Sequence, residues 1–144
     1  MIKHQPLYKL LFCIIVSVIL ISASLLQEDP DQKGETIWLE VRGSPPLSGE
    51  LLSMDLQSMF VLLNENSATS LIPDRQQSTV AQIYFDAIDQ FQIGVMTYRT
   101  RYLRRGIEFH RLSLDSRYPT GITRDTFEVL LEEFGQDEPY EIRW

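Results

Sequence analysis

The sequence has almost no cysteine and very little histidine. Of its 144 residues one is cysteine and two are histidine. The cysteine, Cys13, lies inside an apolar run, so the rest of the chain has no disulfide and must be stabilised by packing alone. After residue 26 the only histidine is His110, and one imidazole cannot supply the three or four ligands that zinc requires. We therefore predict no metal, no cofactor, no catalytic residue and no enzymatic activity.

A long apolar run occurs only near the start of the sequence. Residues 10–21 read LLFCIIVSVILI, after Lys3 and Lys9 and before the small residues 22–24. This order is typical of a secretory signal, and an apolar stretch over 10–26 also reaches the lower limit for a membrane-spanning helix. We predict a signal peptide cleaved after Ser24, or a retained single-pass signal anchor, over residues 1–26. The predicted membrane segment contains Leu10, Ile14, Val18 and Ile21.

Either alternative places the remaining residues outside the cytoplasm, in the cell envelope or secreted. All 20 acidic residues lie in that part of the chain, against 11 of the 13 basic ones. A surface this negative disfavours nucleic acid and anionic lipid as general partners.

One basic cluster interrupts this acidic sequence. Its members are Arg99, Arg101, Arg104, Arg105 and Arg111. Because Arg99 and Arg101 alternate with Tyr98 and Tyr102, an extended segment would carry both arginines on one face. Two interpretations remain open. The cluster is either an anion-binding strip, or a solvated strand whose arginines pair with nearby carboxylates.

Short runs with a period of two predict strands over much of the domain. In the first of them Ile37, Leu39 and Val41 oppose Trp38 and Glu40. The predicted strands cover residues 37–41, 47–54, 59–63, 80–85 and 91–96, with a polar tether over 27–36 and a long loop over 64–79. Five short strands in this space predict a small antiparallel barrel, or a strongly curved sheet, over 37–96.

The end of the chain predicts a helix. Phe127, Leu130, Leu131 and Phe134 recur with helical spacing. Thr123 is a favourable N-cap and Gly135 a favourable stop. We predict a basic and aromatic connector over 97–121 and a C-terminal amphipathic helix with its tail over 122–144. The expected fold class is α+β, mainly β, with a hydrophobic N-terminal helix before the barrel.

Residues 38–93 carry a pattern of glycines and apolar residues found in one known family. Its elements are Gly43, Leu47, Gly49, Leu51, Asp55, Met59, Val61 and Leu63. This pattern resembles the Sm-like family and small exported bacterial proteins of similar pattern. The resemblance implies a strongly bent five-stranded barrel and association through edge strands. Phe60 stands where RNA-binding members have asparagine, and Asp86 and Asp89 replace basic residues, so the RNA site is not implied.

These observations lead to two hypotheses about function. The first is a non-enzymatic, membrane-tethered or exported bacterial module for protein interaction or envelope structure. Its partners would be the membrane, through the N-terminal segment, and a protein or a second copy of the chain. The alternative is an anion- or nucleic-acid-binding protein that uses the strip from Arg99 to Arg111, although the acidic composition disfavours nucleic acid.

Overall fold

The computed structural model describes residues 33–144, apart from the side chain of Arg105. Residues 33–144 form one compact unit. The predicted signal or anchor, with Leu10, Ile14, Val18 and Ile21, lies outside the described residues, as does most of the predicted tether. Within residues 33–144 no helix is long and apolar enough to span a bilayer.

The described residues contain seven strands and three α-helices. The strands are β1 (Thr36–Val41), β2 (Leu47–Met54), β3 (Ser58–Leu63), β4 (Thr79–Tyr84), β5 (Ile88–Ile93), β6 (Met96–Arg99) and β7 (Tyr140–Ile142). The helices are α1 (Glu65–Leu71), α2 (Arg105–Ser113) and α3 (Arg124–Glu133), and short 3₁₀ turns cover Phe85–Ala87 and Thr100–Tyr102. All strands form one sheet in the order β6-β5-β1-β2-β3-β4-β7.

The prediction of a closed five-stranded antiparallel barrel is wrong. To close such a barrel, the free edges of β4 and β5 would have to pair with each other. Each edge instead pairs with a further strand: β6 runs antiparallel to β5, and β7 runs parallel to β4. The result is an open, mixed, seven-stranded sheet.

The strand pattern correctly predicts β1 to β4, and the prediction differs from the structure in three other segments. The run predicted over 91–96 straddles a tight hairpin, in which Ile93 pairs with Met96 and Gly94 adopts a positive φ of 59°. The predicted connector over 97–121 contains most of β6, a 3₁₀ turn and α2. The predicted loop over 64–79 begins with α1, whose N-cap Asn64 accepts a hydrogen bond from the Ser67 amide.

The main core lies on one side of the sheet. Its strand residues come from alternate positions of β1 to β5, and helix α2 adds Leu112. The fully buried members include Ile37, Leu39, Met59, Val61, Leu63, Ile83 and Phe91.

Helix α3 covers the opposite side of β2, β3 and β4. It begins after Thr123, whose hydroxyl accepts from the Thr126 amide, as the sequence predicts. Its Leu130 and Leu131 pack with Leu52 and Val80 in a second apolar cluster. The Phe127 ring meets the Phe60 ring edge-on, with centroids 5.1 Å apart. The helix therefore protects only half of this side of the sheet.

Two chain segments are attached along β2 at an irregularity in its pairing. The register with β3 shifts between Leu51 and Ser53. There the Leu51 carbonyl accepts from the Arg117 amide and the Leu51 amide donates to the Glu35 carbonyl. The Arg117 guanidinium also donates two hydrogen bonds to the Glu50 carboxylate, at 2.8 and 2.6 Å. Glu50 additionally accepts from the Gly34 amide at 2.7 Å, so residue 34 is part of the packed domain.

The side chain of Gln136 acts as a short extension of the sheet. Its Oε1 accepts from the Val80 amide at 2.7 Å, and its Nε2 donates to the Val80 carbonyl at 3.0 Å. One residue further along β4, Ala81 pairs with Tyr140 of β7. The side-chain amide of Gln136 thus pairs with β4 one residue before the pairing with β7 begins.

Candidate functional site

The side of β1, β5 and β6 that points away from the main core is the outer face, which α3 leaves uncovered. Cross-strand pairing arranges its side chains in two rows. One row contains Trp38, Gln92 and Thr97, and the other contains Glu40, Gln90 and Arg99. The rows lie about 7 Å apart, because same-face residues on a strand are separated by two steps of about 3.4 Å.

The first row forms a cleft around the Trp38 indole, which we call the Trp38 cleft. Its volume is about 240 Å³, and its walls include Trp38, Pro46, Gln92 and Thr97. Trp38 is 56% exposed, which is unusual for the largest apolar side chain in the middle of a sheet. The indole therefore offers a flat apolar surface to an incoming group.

The amide groups beside Trp38 are held by neighbouring acceptors. Gln90 Nε2 donates to Glu40 Oε1 at 2.9 Å, and Gln92 Nε2 donates to the Gly94 carbonyl at 2.9 Å. Each amide keeps a carbonyl oxygen and a second N–H proton beyond these bonds. The cleft thus presents donors and acceptors of fixed orientation next to an aromatic ring.

The second row leads into a neighbouring cleft lined by arginines, the arginine cleft. It measures about 250 Å³ and is lined by Arg42, Asp89, Gln90, Arg99 and Arg101. Gln90 belongs to both clefts, so the two are adjacent. Three cations and one carboxylate give this part of the surface a positive charge.

The Arg42–Asp89 pair is open to solvent. Arg42 Nε lies 2.9 Å from Asp89 Oδ1, with side-chain exposures of 43% and 56%. The Arg42 guanidinium also lies 5.3 Å from the centroid of the Trp144 ring, and the Arg101 guanidinium lies 4.6 Å from that of Tyr102. Exposed pairs of this kind contribute little to stability, so an anionic ligand can compete for these arginines at small cost.

The predicted basic strip is divided by the structure. Arg99 ends β6, and the 3₁₀ turn that follows contains Arg101, so the prediction of one extended segment is wrong. Both arginines nevertheless line the arginine cleft, and neither makes an ion pair with a carboxylate of residues 33–144. Arg104 is the residue before α2 and Arg105 its first residue. Arg104 does not line the arginine cleft.

The remaining residues singled out in the sequence have structural or solvent-facing positions. Arg111 donates to the Tyr98 hydroxyl at 2.9 Å, and His110 is exposed on α2. The Asp55 carboxylate accepts from the Gln57 and Ser58 amides and thereby forms the turn between β2 and β3. Within residues 33–144 no group of three His, Cys, Asp or Glu side chains converges as a metal site would require.

Sequence reasoning missed Arg42 and Trp38 as site residues. Arg42 follows β1 and is far in sequence from Arg99; only the pairing of β1 with β5 and of β5 with β6 brings the two into one cleft. For Trp38 the signal was present, because alternation with the buried Ile37 and Leu39 places the indole on the opposite side of the strand.

Comparison with known proteins returns no match. No family model matches the chain, and no curated protein and no solved structure matches it significantly. The resemblance to the Sm-like family therefore stays a prediction. The function is therefore inferred from the residues of the outer face.

Proposed function

We propose that the protein is a non-enzymatic binding module that recognises an anionic ligand with its outer face. One observation carries this proposal: the uncovered half of the sheet holds two adjacent clefts, one aromatic and one lined by three arginines. The predicted export signal or anchor over residues 1–26 would deliver this face outside the cytoplasm.

The charge distribution supports an anion as the ligand. Residues 33–144 contain 11 basic and 17 acidic residues, so three arginines around one carboxylate are a local exception. A basic cleft on an acidic surface attracts a compact anionic group, while the surrounding carboxylates repel a long and densely charged polymer such as nucleic acid. This pattern favours a ligand whose charge is limited to the part that enters the arginine cleft.

The sheet edges favour ligand binding over association through strands. A second copy that paired with an edge would have to use β6 or β7, which are four and three residues long. Short edge strands are one of the features by which proteins resist edge-to-edge pairing. The outer face, by contrast, offers side chains across three strands.

The proposal is tested by equilibrium binding of the full chain to three anionic probes at low and moderate salt. The probes are inorganic phosphate, a tetraglutamate peptide and a short hyaluronan oligosaccharide, which alternates a neutral amino sugar with a uronic acid. We expect at least one probe to bind, with affinity that falls as salt rises because the arginines are exposed to solvent. We also expect about 10- to 100-fold weaker binding on changing Arg99 and Arg101 together to Gln, since charged hydrogen bonds are lost.

A matched control is available on α3. Arg124 is exposed and pairs with Glu128 one helical turn away, so Arg124→Gln removes an arginine of similar surroundings outside the clefts. We expect this variant to bind as the natural protein does. Failure of all three probes at low salt, or equal weakening by Arg124→Gln, would refute the proposed function.

A further inference from the structure

We infer that the outer face binds an acidic oligosaccharide, with a neutral sugar ring stacked on Trp38 and the carboxylate of the adjoining sugar in the arginine cleft. This inference rests on the proposed function and names the class of its ligand. It is carried by the juxtaposition of an exposed indole, amide side chains held in place, and arginines in two adjacent clefts.

The Trp38 cleft has the chemistry that a pyranose ring requires. The C–H groups on one side of a sugar ring pack against the flat face of an indole, and its hydroxyls need both donors and acceptors around the rim. Gln92 and Gln90 offer both through their amides, and Thr97 adds a hydroxyl. The Glu40 carboxylate, already held by Gln90, supplies a further acceptor for a hydroxyl.

The arginine cleft provides the partner for the acid group of the ligand. Planar guanidinium groups bind carboxylates through two parallel hydrogen bonds. Arg99 makes no ion pair within residues 33–144, and the partners of Arg42, the Asp89 carboxylate and the Trp144 ring, are both exposed. An incoming carboxylate could therefore bind without displacing a buried partner.

The spacing of the two clefts fits a ligand of more than one sugar ring. Trp38 and Arg99 are two strands apart and lie in different rows. Strands about 4.8 Å apart and rows about 7 Å apart separate their Cα atoms by about 12 Å. A disaccharide or a longer oligosaccharide can span a separation of this size.

The position of Trp38 also disfavours an acidic peptide as the occupant. An extended peptide that binds a sheet usually pairs its backbone with a free edge. Trp38 lies on β1, which pairs with β2 on one side and β5 on the other. The floor of the Trp38 cleft therefore offers side chains only, and these match the hydroxyls of a sugar better than the backbone of a peptide.

The test uses the tryptophan of the cleft as its reporter. The chain has two tryptophans, Trp38 and Trp144, so Trp144→Phe leaves Trp38 as the only indole of the full chain. We titrate this variant with a hyaluronan tetrasaccharide and follow its fluorescence and its quenching by acrylamide. We expect the emission to change and the quenching to fall, because a stacked ring shields the indole from solvent.

Two substitutions separate stacking from attraction of charge. Trp38→Ala should weaken tetrasaccharide binding about tenfold, the loss expected for one aromatic contact, whereas Trp38→Tyr should retain most of the affinity. Because the indole is about half buried, the thermal unfolding midpoint should fall by a few degrees in Trp38→Ala and should stay closer to that of the natural protein in Trp38→Tyr. Unchanged tetrasaccharide affinity in a folded Trp38→Ala protein would overturn the inference.

Two further ligands distinguish this inference from the proposed function. A neutral tetramer of N-acetylglucosamine should bind more weakly than the acidic tetrasaccharide, and tetraglutamate should leave the quenching of Trp38 unchanged. If tetraglutamate bound through Arg99 and Arg101 while the tetrasaccharide did not bind, the oligosaccharide would be excluded and the anion-binding function would stand. If no anionic probe bound, both proposals would fail.

Discussion

Replacing Glu50 by alanine should destabilise the domain far more than an average surface substitution. Glu50 accepts two hydrogen bonds from the Arg117 guanidinium and one from the Gly34 amide. The two side chains are only 18% and 22% exposed, so water can replace these bonds only in part. The substitution therefore leaves a guanidinium without its partner in a half-buried position and releases residue 34 from β2.

The expected loss of unfolding free energy lies between the values measured for buried and for exposed ion pairs. Breaking a fully buried ion pair costs about 3–5 kcal/mol, and an exposed pair contributes about 0.2–1 kcal/mol. Because about a fifth of each side chain remains in contact with water, we expect Glu50→Ala to cost about 2–3 kcal/mol. Arg117→Ala should cost somewhat less, since the carboxylate keeps the Gly34 amide as a donor.

Urea unfolding of the full chain gives the measurement. The midpoint for Glu50→Ala should fall by about 1–2 M with an unchanged slope, if the slope is about 1.5–2 kcal/mol/M, as for a small domain. In a double-mutant cycle, the loss for the Glu50→Ala and Arg117→Ala changes together should be at least about 1 kcal/mol smaller than the sum of the single losses. Additive losses, or a Glu50→Ala loss no larger than that of the exposed Arg124→Ala, would refute this reasoning.

The pH dependence of this ion pair follows from the guanidinium. The hydrogen bond to Glu50 raises the pKa of Arg117 above its ordinary value, against the opposing effect of burial. A group whose pKa is raised by folding adds stability at every pH below its unfolded-state pKa, and this stability is lost only as the pH rises through the folded-state pKa. The contribution of Arg117 should therefore stay constant from neutral to moderately alkaline pH.

Two further substitutions test other contacts of the sheet. Gln136→Ala should lower the free energy of unfolding by about 1–3 kcal/mol, because the Val80 amide and carbonyl lose their partner. Hydrogen exchange of the Val80 amide should accelerate. Unchanged protection of this amide would contradict the role of the Gln136 side chain. Gly34→Ala should cost about 1–3 kcal/mol in thermal unfolding, because a Cβ there would overlap the Leu51 carbonyl. Gly106→Ala is the control, since its Cβ would meet nothing and alanine favours a helix.

The sequence predicts best those elements that have one buried and one exposed face. In β1 the alternation of Ile37, Leu39 and Val41 with exposed residues corresponds directly to burial. Helix α3 is similarly marked by its cap at Thr123 and its apolar spacing. In both cases the local pattern and the tertiary packing require the same residues.

Short elements that depend on tertiary pairing were not predictable. Strand β7 has only three residues, and it exists because the edge of β4 accepts it. Helix α1 has the polar sequence ENSATSL, in which Ala68 is the fully buried apolar residue. The sequence therefore has no apolar stripe that would predict this helix. The barrel was predicted because the sequences of β6 and β7 do not identify them as strands. It therefore could not be seen that β6 and β7 pair with the edges of β5 and β4.

The candidate site was predictable only in part. Arg99 and Arg101 were singled out by their local charge, and both line the arginine cleft. Arg42 could not be assigned to it, because its position depends on strand order rather than on neighbouring residues. Alternation placed Trp38 on the correct side of β1. The sequence could not show that no helix covers this part of the sheet, and without that knowledge Trp38 could not be recognised as a site residue.

The parallel pairing of β7 with β4 has a consequence for the order of folding. Strands β1, β2 and β3 each pair with the next strand in the chain, so their loops close at low entropic cost. The pairing of Ala81 with Tyr140 instead has to wait until the intervening segment, with α2 and α3, has been brought back to the sheet. Contacts of such long sequence separation slow folding. We therefore expect the β1–β4 meander to form first and the last strand to complete the sheet.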